Sequence, residues 1–201
     1  MSSIVIAGNT SGAITIAAPA EAGLNTLTLP ASTGTVALTS DISASVTAVQ
    51  THLNTTSSQS ITANTRANIS GLNATITPST TSKRIKVTVR WNGEYSSTVN
   101  YDATFGIKRD TTDIGNPAAD GSRNVGIAII SQGYWAADAD STPDSAMYSY
   151  IDSPATTSAT TYHATLMQRI TGTLYNQRTV ADSSGAGYER LTSNIILEEI
   201  D

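Results

Sequence analysis

"RIKVTVRW", residues 84–91, alternates strictly: Ile85, Val87, Val89 and Trp91 fall on one side, Arg84, Lys86, Thr88 and Arg90 on the other. A repeat of two residues belongs to a strand with one face on a core and the other in water. The same alternation continues on both sides of this stretch. Leu72, Ala74 and Ile76 alternate with Asn73, Thr75 and Thr77, and Val99, Tyr101, Ala103, Phe105 and Ile107 alternate with Asn100, Asp102, Thr104 and Lys108. Through "YHATLMQRITGTLY", Tyr162, Ala164, Leu166, Ile170 and Leu174 share one parity. Apolar stretches at Val125–Ile130, Met147–Ile151 and Ile195–Ile200, with the weaker "QSITANT", complete the set. About eight strands separated by polar loops predict an all-β chain, an antiparallel β-sandwich or jelly roll.

Composition agrees. Of 201 residues 57 are Ser or Thr, 39% are hydrophobic, 13% are charged and one is Phe. That is too apolar for a disordered chain, and Thr and Val suit pleated, half-buried surfaces. The net charge is −5 and the first Lys or Arg is Arg66, which argues against a nucleic-acid partner needing cations to displace counterions from phosphates. No run approaches the roughly 20 apolar residues of a spanning helix, so no membrane partner is expected. Residues 1–20 lack the positive, then apolar, pattern of a secretory signal. With no Cys, disulfides, thiolate chemistry and Cys-ligated zinc are excluded, as suits synthesis in a reducing cytoplasm.

The pattern divides the chain into three zones. Residues 1–40 read as an extended, β-rich attachment arm: Ile4–Ile6, Ile14–Ile16, Leu27–Leu29 and Val36–Leu38, punctuated by Gly and Pro. Such short strands are marginal alone and call for copies of themselves or a partner surface. Residues 41–54 change period. Ile42, Val46, Val49 and Leu53 are spaced by four, three and four, the seam of a short helix or trimeric coiled coil capped by Ser40 or Asp41. An ordinary amphipathic helix lying on the domain fits the same spacing, and under two heptads cannot hold an oligomer unaided. Thr55–Asn64 reads as a polar linker, within a head domain spanning 55–201.

Chemistry-bearing residues are sparse. His52 and His163 are far apart, and no G-x-S-x-G occurs, so no catalytic residues and no enzyme activity are expected. No cofactor is expected. "DADSTPD" sets Asp138, Asp140 and Asp144 in a polar loop, a weak candidate for a hard cation. An EF-hand would need Gly and Glu where Pro143 and Ser149 stand, and a solvated acidic loop explains the run equally well. Tyr134 and Trp135 directly precede Asp138 and Asp140. Aromatic faces beside carboxylates can cover sugar C–H groups while the acids accept hydroxyl protons, making these four a candidate glycan site. The competing reading has Trp135 plugging the end of the sandwich or a subunit seam.

"GAITIAAPAEAGLNTLTLPASTGTVALTSDI", residues 12–42, resembles a segment common near the start of fibre and other surface proteins of tailed bacteriophages. More loosely, "DSPATTSATTYHATLMQR" and "LTSNIILEEI" are similar to trimeric jelly-roll heads of the complement C1q and tumour-necrosis-factor type. The resemblance implies a homotrimer on the virion surface, anchored through residues 1–40 to another virion protein of tail, collar or capsid. It presents the head to host-surface polysaccharide as a fibre or spike. A capsid decoration or cement protein stabilising the shell is the alternative.

Overall fold

A computed structural model describes residues 3–7, 13–17, 47–96, 102–119, 121–130 and 141–201. The chain forms two compact units, Met1–Ala44 and Ser45–Asp201. In the first, β1 (Ser3–Ala7) pairs antiparallel with β2 (Ala13–Ala17), Ile4 opposite Ile16 and Ile6 opposite Ile14. Two of the expected short strands thus find each other, although a two-stranded ribbon remains marginal in isolation.

In the second unit the described strands are β3 (Ala48–Leu53), β4 (Ser57–Ile61), β5 (Ala67–Ile76), β6 (Arg84–Tyr95), β7 (Thr104–Arg109) and β8 (Thr112–Ile114), followed by β9 (Ala128–Ile129), β10 (Asp144–Asp152), β11 (Thr160–Met167), β12 (Gly172–Asn176) and β13 (Ser193–Ile200). Their pairing has a simple rule. β3 pairs with β13, β4 with β12, β5 with β11, β6 with β10 and β7 with β9, all antiparallel. The pairs are nested, as in one long hairpin whose tip is the stretch from β8 to β9. Further ladders of β6 with β13 and β12, and of β7 with β11, roll that hairpin into two sheets. One has six strands, β3-β13-β6-β12-β4 with β10 on the other edge of β6; the other has five, β5-β11-β7-β8 with β9 also against β7.

The two sheets face each other across one core. The inward parity of β6 reads Ile85, Val87, Val89 and Trp91, all fully buried as the alternation requires. Trp91 meets Phe105 of the other sheet with ring centroids 5.0 Å apart, and its Nε1 donates to Asn176 Oδ1 at 2.8 Å. The indole therefore fills volume while its one polar atom stays satisfied. Beside it Gly93 is obligatory: a Cβ there would stand 2.1 Å from the Tyr175 carbonyl oxygen, part of a neighbouring backbone that cannot yield.

Several expectations are corrected. Residues 48–53 form a strand, not a helix or coiled-coil seam. Val49 and Leu53 turn inward with Thr51 and pack on the core, opposite Leu197 and Ser193 of β13. A spacing of four fits period two as well as 3.6. The exposed edge of β13 decides between them, because pairing there avoids the nucleation cost of a short helix. Ile42 and Val46 lie outside the described residues. The supposed linker 55–64 contains β4, whose partner β12 is more than a hundred residues away. The single parity through 162–174 belongs to two strands: β11 sits in one sheet and β12 in the other, with Ile170 in the connection between them. β5 also breaks parity. Asn73 faces His163 while Asn68 faces Thr165, so β5 carries three extra residues in a bulge that includes Gly71 at φ 75°. The bulge turns Ile69 and Leu72, three apart, into the same core.

Candidate assembly surface

The outer face of the six-stranded sheet can be reconstructed row by row from register. Met147, Arg90, Asn194 and His52 form one row; Ser149, Thr88, Ile196 and Gln50 the next; Ile151, Lys86, Glu198 and Ala48 the third; Arg84 lies opposite Ile200 beyond. An antiparallel sheet covering a core with one face normally turns polar side chains to water with the other. Here Met147 is 71% exposed and Ile151 47%, two of the four large apolar side chains most open to solvent among the described residues. Ile196 and Ile200 share the face, partly exposed. Lys86 Nζ donates to Glu198 Oε2 at 2.8 Å between the apolar groups, neutralising the third row. Both charges are substantially open to water, so this pair orients side chains more than it stabilises the fold.

β10 carries the two most exposed of these groups, and among the described residues its strand partner is β6 alone. Its inward side holds it to the opposite sheet at two points. Buried Tyr148 donates to the Gly106 carbonyl at 2.9 Å, and burial pushes its phenol pKa far above the ordinary value. At the strand end, buried Asp152 accepts from Arg109 Nη1 at 2.9 and 3.1 Å and from Tyr162 OH at 2.7 Å. Burial, then the bond to Asp152, raises the Tyr162 pKa well out of its usual range. Two side chains, from β7 and β11, thereby satisfy one carboxylate on β10, the condition for burying a charge without heavy cost. The apolar side chains project from a strand that is fixed in place.

Tyr134, Trp135, Asp138 and Asp140 lie outside the described residues. Asp144 belongs to β10 rather than to the loop, with its side chain buried opposite Gly93. His52 projects from the outer face of β3, and His163 from the outer face of β11 in the other sheet, so the structure does not bring the two together. Burial, outweighing the neighbouring Asp110, lowers the His163 pKa. The outer face was partly legible in the sequence: "AMYSYI" and "NIILEEI" carry apolar residues on both parities, a two-sided signal. The Arg109–Asp152–Tyr162 cluster left no such signal, because its members are remote in sequence.

No protein-family model matches the chain, and no curated protein matches it.

Proposed function

We propose that the chain is a structural protein of a tailed-bacteriophage virion, a homotrimeric surface fibre or spike. Residues 1–40 attach it to another virion protein, and the C-terminal head meets host-surface glycans. The observation that carries the reading is the five nested strand pairs of residues 45–201. Rolling such a hairpin is how a jelly roll is wound, and this is the head that the phage-like segment 12–42 leads one to expect. The outer face bearing Met147, Ile151, Ile196 and Ile200 supports assembly, since an apolar patch on an otherwise polar sheet face is best covered by another protein surface. Copies of the same chain around a threefold axis are the occupant, the symmetric closure that also gives the short N-terminal strands identical neighbours. Modest affinity at each head would then be multiplied by several heads on one particle.

Electron microscopy of intact particles labelled with an antibody against residues 60–201 tests this. Label on tail or collar projections is expected. Label spread over the capsid would favour the decoration role, and particles that take no label would defeat the virion assignment.

A further inference from the structure

Among the described residues Ile129 is, at 66%, the large apolar side chain most open to solvent after Met147. It belongs to the other sheet. β9 pairs with β7, placing Ile129 opposite Thr104, while Ala128 lies opposite buried Phe105. Alternation then puts Thr104 and Ile129 on the outward side. There they line an open cleft of about 490 Å³ together with Pro117, Ala118, Ile127 and Ala128. Arg123, the one charged residue of the lining, already has a partner. What the cleft offers an occupant is therefore mainly C–H surface, which selects an apolar side chain.

The wall is built before anything enters. Val125 carbonyl oxygen accepts from buried Arg66 Nη2 and from Thr104 Oγ1 at 3.1 Å, while Ile127 N donates to Phe105 O at 2.7 Å. Arg66 Nη1 also donates to Thr165 Oγ1 at 3.1 Å, and its Nε lies 3.6 Å from Asp113. One desolvated guanidinium therefore ties β11, β8 and the cleft wall together. Gly126 allows the close approach: a Cβ there would meet Phe105 O at 2.7 Å and Thr104 Cβ at 2.8 Å.

Symmetry supplies the occupant. A threefold ring is closed by heterologous contacts, in which each copy shows one surface to the next and a different surface to the one behind. Met147 and Ile151 are then not covered by their own counterparts and need a second apolar surface on the neighbour. The cleft is such a surface, hollow where the β10 row projects. Methionine suits it, being unbranched and able to fill an irregular hollow. Both sides are fixed in advance, β10 through Tyr148 and Asp152 and the cleft through Arg66, so little ordering opposes their association.

We propose that in the trimer Met147 of one copy enters the cleft of the next and packs on Ile129, with Ile151 continuing the contact along β10. The inference rests on the trimer reading and names the two surfaces that close the ring.

The test uses the full chain, which has no cysteine, so one thiol can be placed on either surface. Met147→Cys chains and Ile129→Cys chains are prepared separately and co-expressed, treated with a short bis-maleimide and run on a denaturing gel. Analytical ultracentrifugation of the parent and of Ile129→Glu runs in parallel. A cross-linked two-chain product is expected from the co-expressed mixture and from neither chain alone. Ile129→Glu should weaken each of the three contacts roughly ten- to a hundredfold. It should therefore be monomeric at micromolar concentration, and because Ile129 is exposed its head should melt as the parent does by circular dichroism. The contact is overturned, and the trimer stands, if a trimeric parent gives no cross-link in the mixture, if Met147→Cys cross-links to itself, or if Ile129→Glu remains trimeric. A monomeric parent defeats the trimer and this contact together.

Discussion

Replacing Met147 and Ile151 together by Glu should dissolve the proposed trimer while leaving the folded head intact. Both side chains point away from the core and are 71% and 47% exposed, so the isolated head loses little by the change. Fully burying a Met or Ile side chain is worth about 1.5–3 kcal/mol. Scaling by the exposed fractions gives about 1–2 kcal/mol for Met147 and about 0.7–1.4 kcal/mol for Ile151 on forming the interface. Three copies forfeit roughly 5–10 kcal/mol, some four to seven powers of ten in the trimer association constant, before any penalty for buried unpaired carboxylates. Analytical ultracentrifugation of the full chain should find the parent trimeric and the double variant monomeric at micromolar concentration. Circular dichroism would check that the variant head still melts cooperatively. Asn68→Glu, on the exposed face of the five-stranded sheet, is the control and should leave the mass unchanged. A monomeric parent, or a double variant still trimeric at nanomolar concentration, would refute the assignment of this face.

Two further outcomes follow from the buried and the tethered carboxylates. Asp152→Ala leaves the Arg109 guanidinium and the Tyr162 hydroxyl without their acceptor. Taking about 3 kcal/mol, the lower end for a broken buried pair because Arg109 is partly open to water, Tm should fall by roughly 6–12 °C in a thermal scan; an unchanged Tm would mean that water replaces the carboxylate freely. Glu199 accepts from the Ser79 hydroxyl and backbone N–H, both at 2.6 Å, and these bonds hold its pKa below the ordinary value. A depressed folded pKa contributes stability that is complete above the unfolded pKa, about 4.3, and is lost as pH falls through the folded one. Urea melts from pH 6 to pH 3 should show a smaller acid loss for Glu199→Gln than for the parent; parallel curves would remove Glu199 from the acid response.

Sequence alone determined the class of structure. Strict alternation in "RIKVTVRW" could be satisfied only by a strand burying Ile85, Val87, Val89 and Trp91, because period two leaves no helical face able to do so. Alternation is local, however, and records which side is apolar without recording what covers it. Val49 and Leu53, four apart, suited a helix and a strand equally until the edge of β13 stood beside them. The run from Tyr162 to Leu174 kept one parity while passing from one sheet to the other, and the bulge at Gly71 brought Ile69 and Leu72 inward against the count. Only the tertiary structure decided these points, together with the nested pairing, the carboxylate shared by Arg109 and Tyr162, and the guanidinium of Arg66 behind the cleft. Each depends on groups tens of residues apart meeting in space, and their energies arise from burial and hydrogen bonding that exist only after the chain has folded.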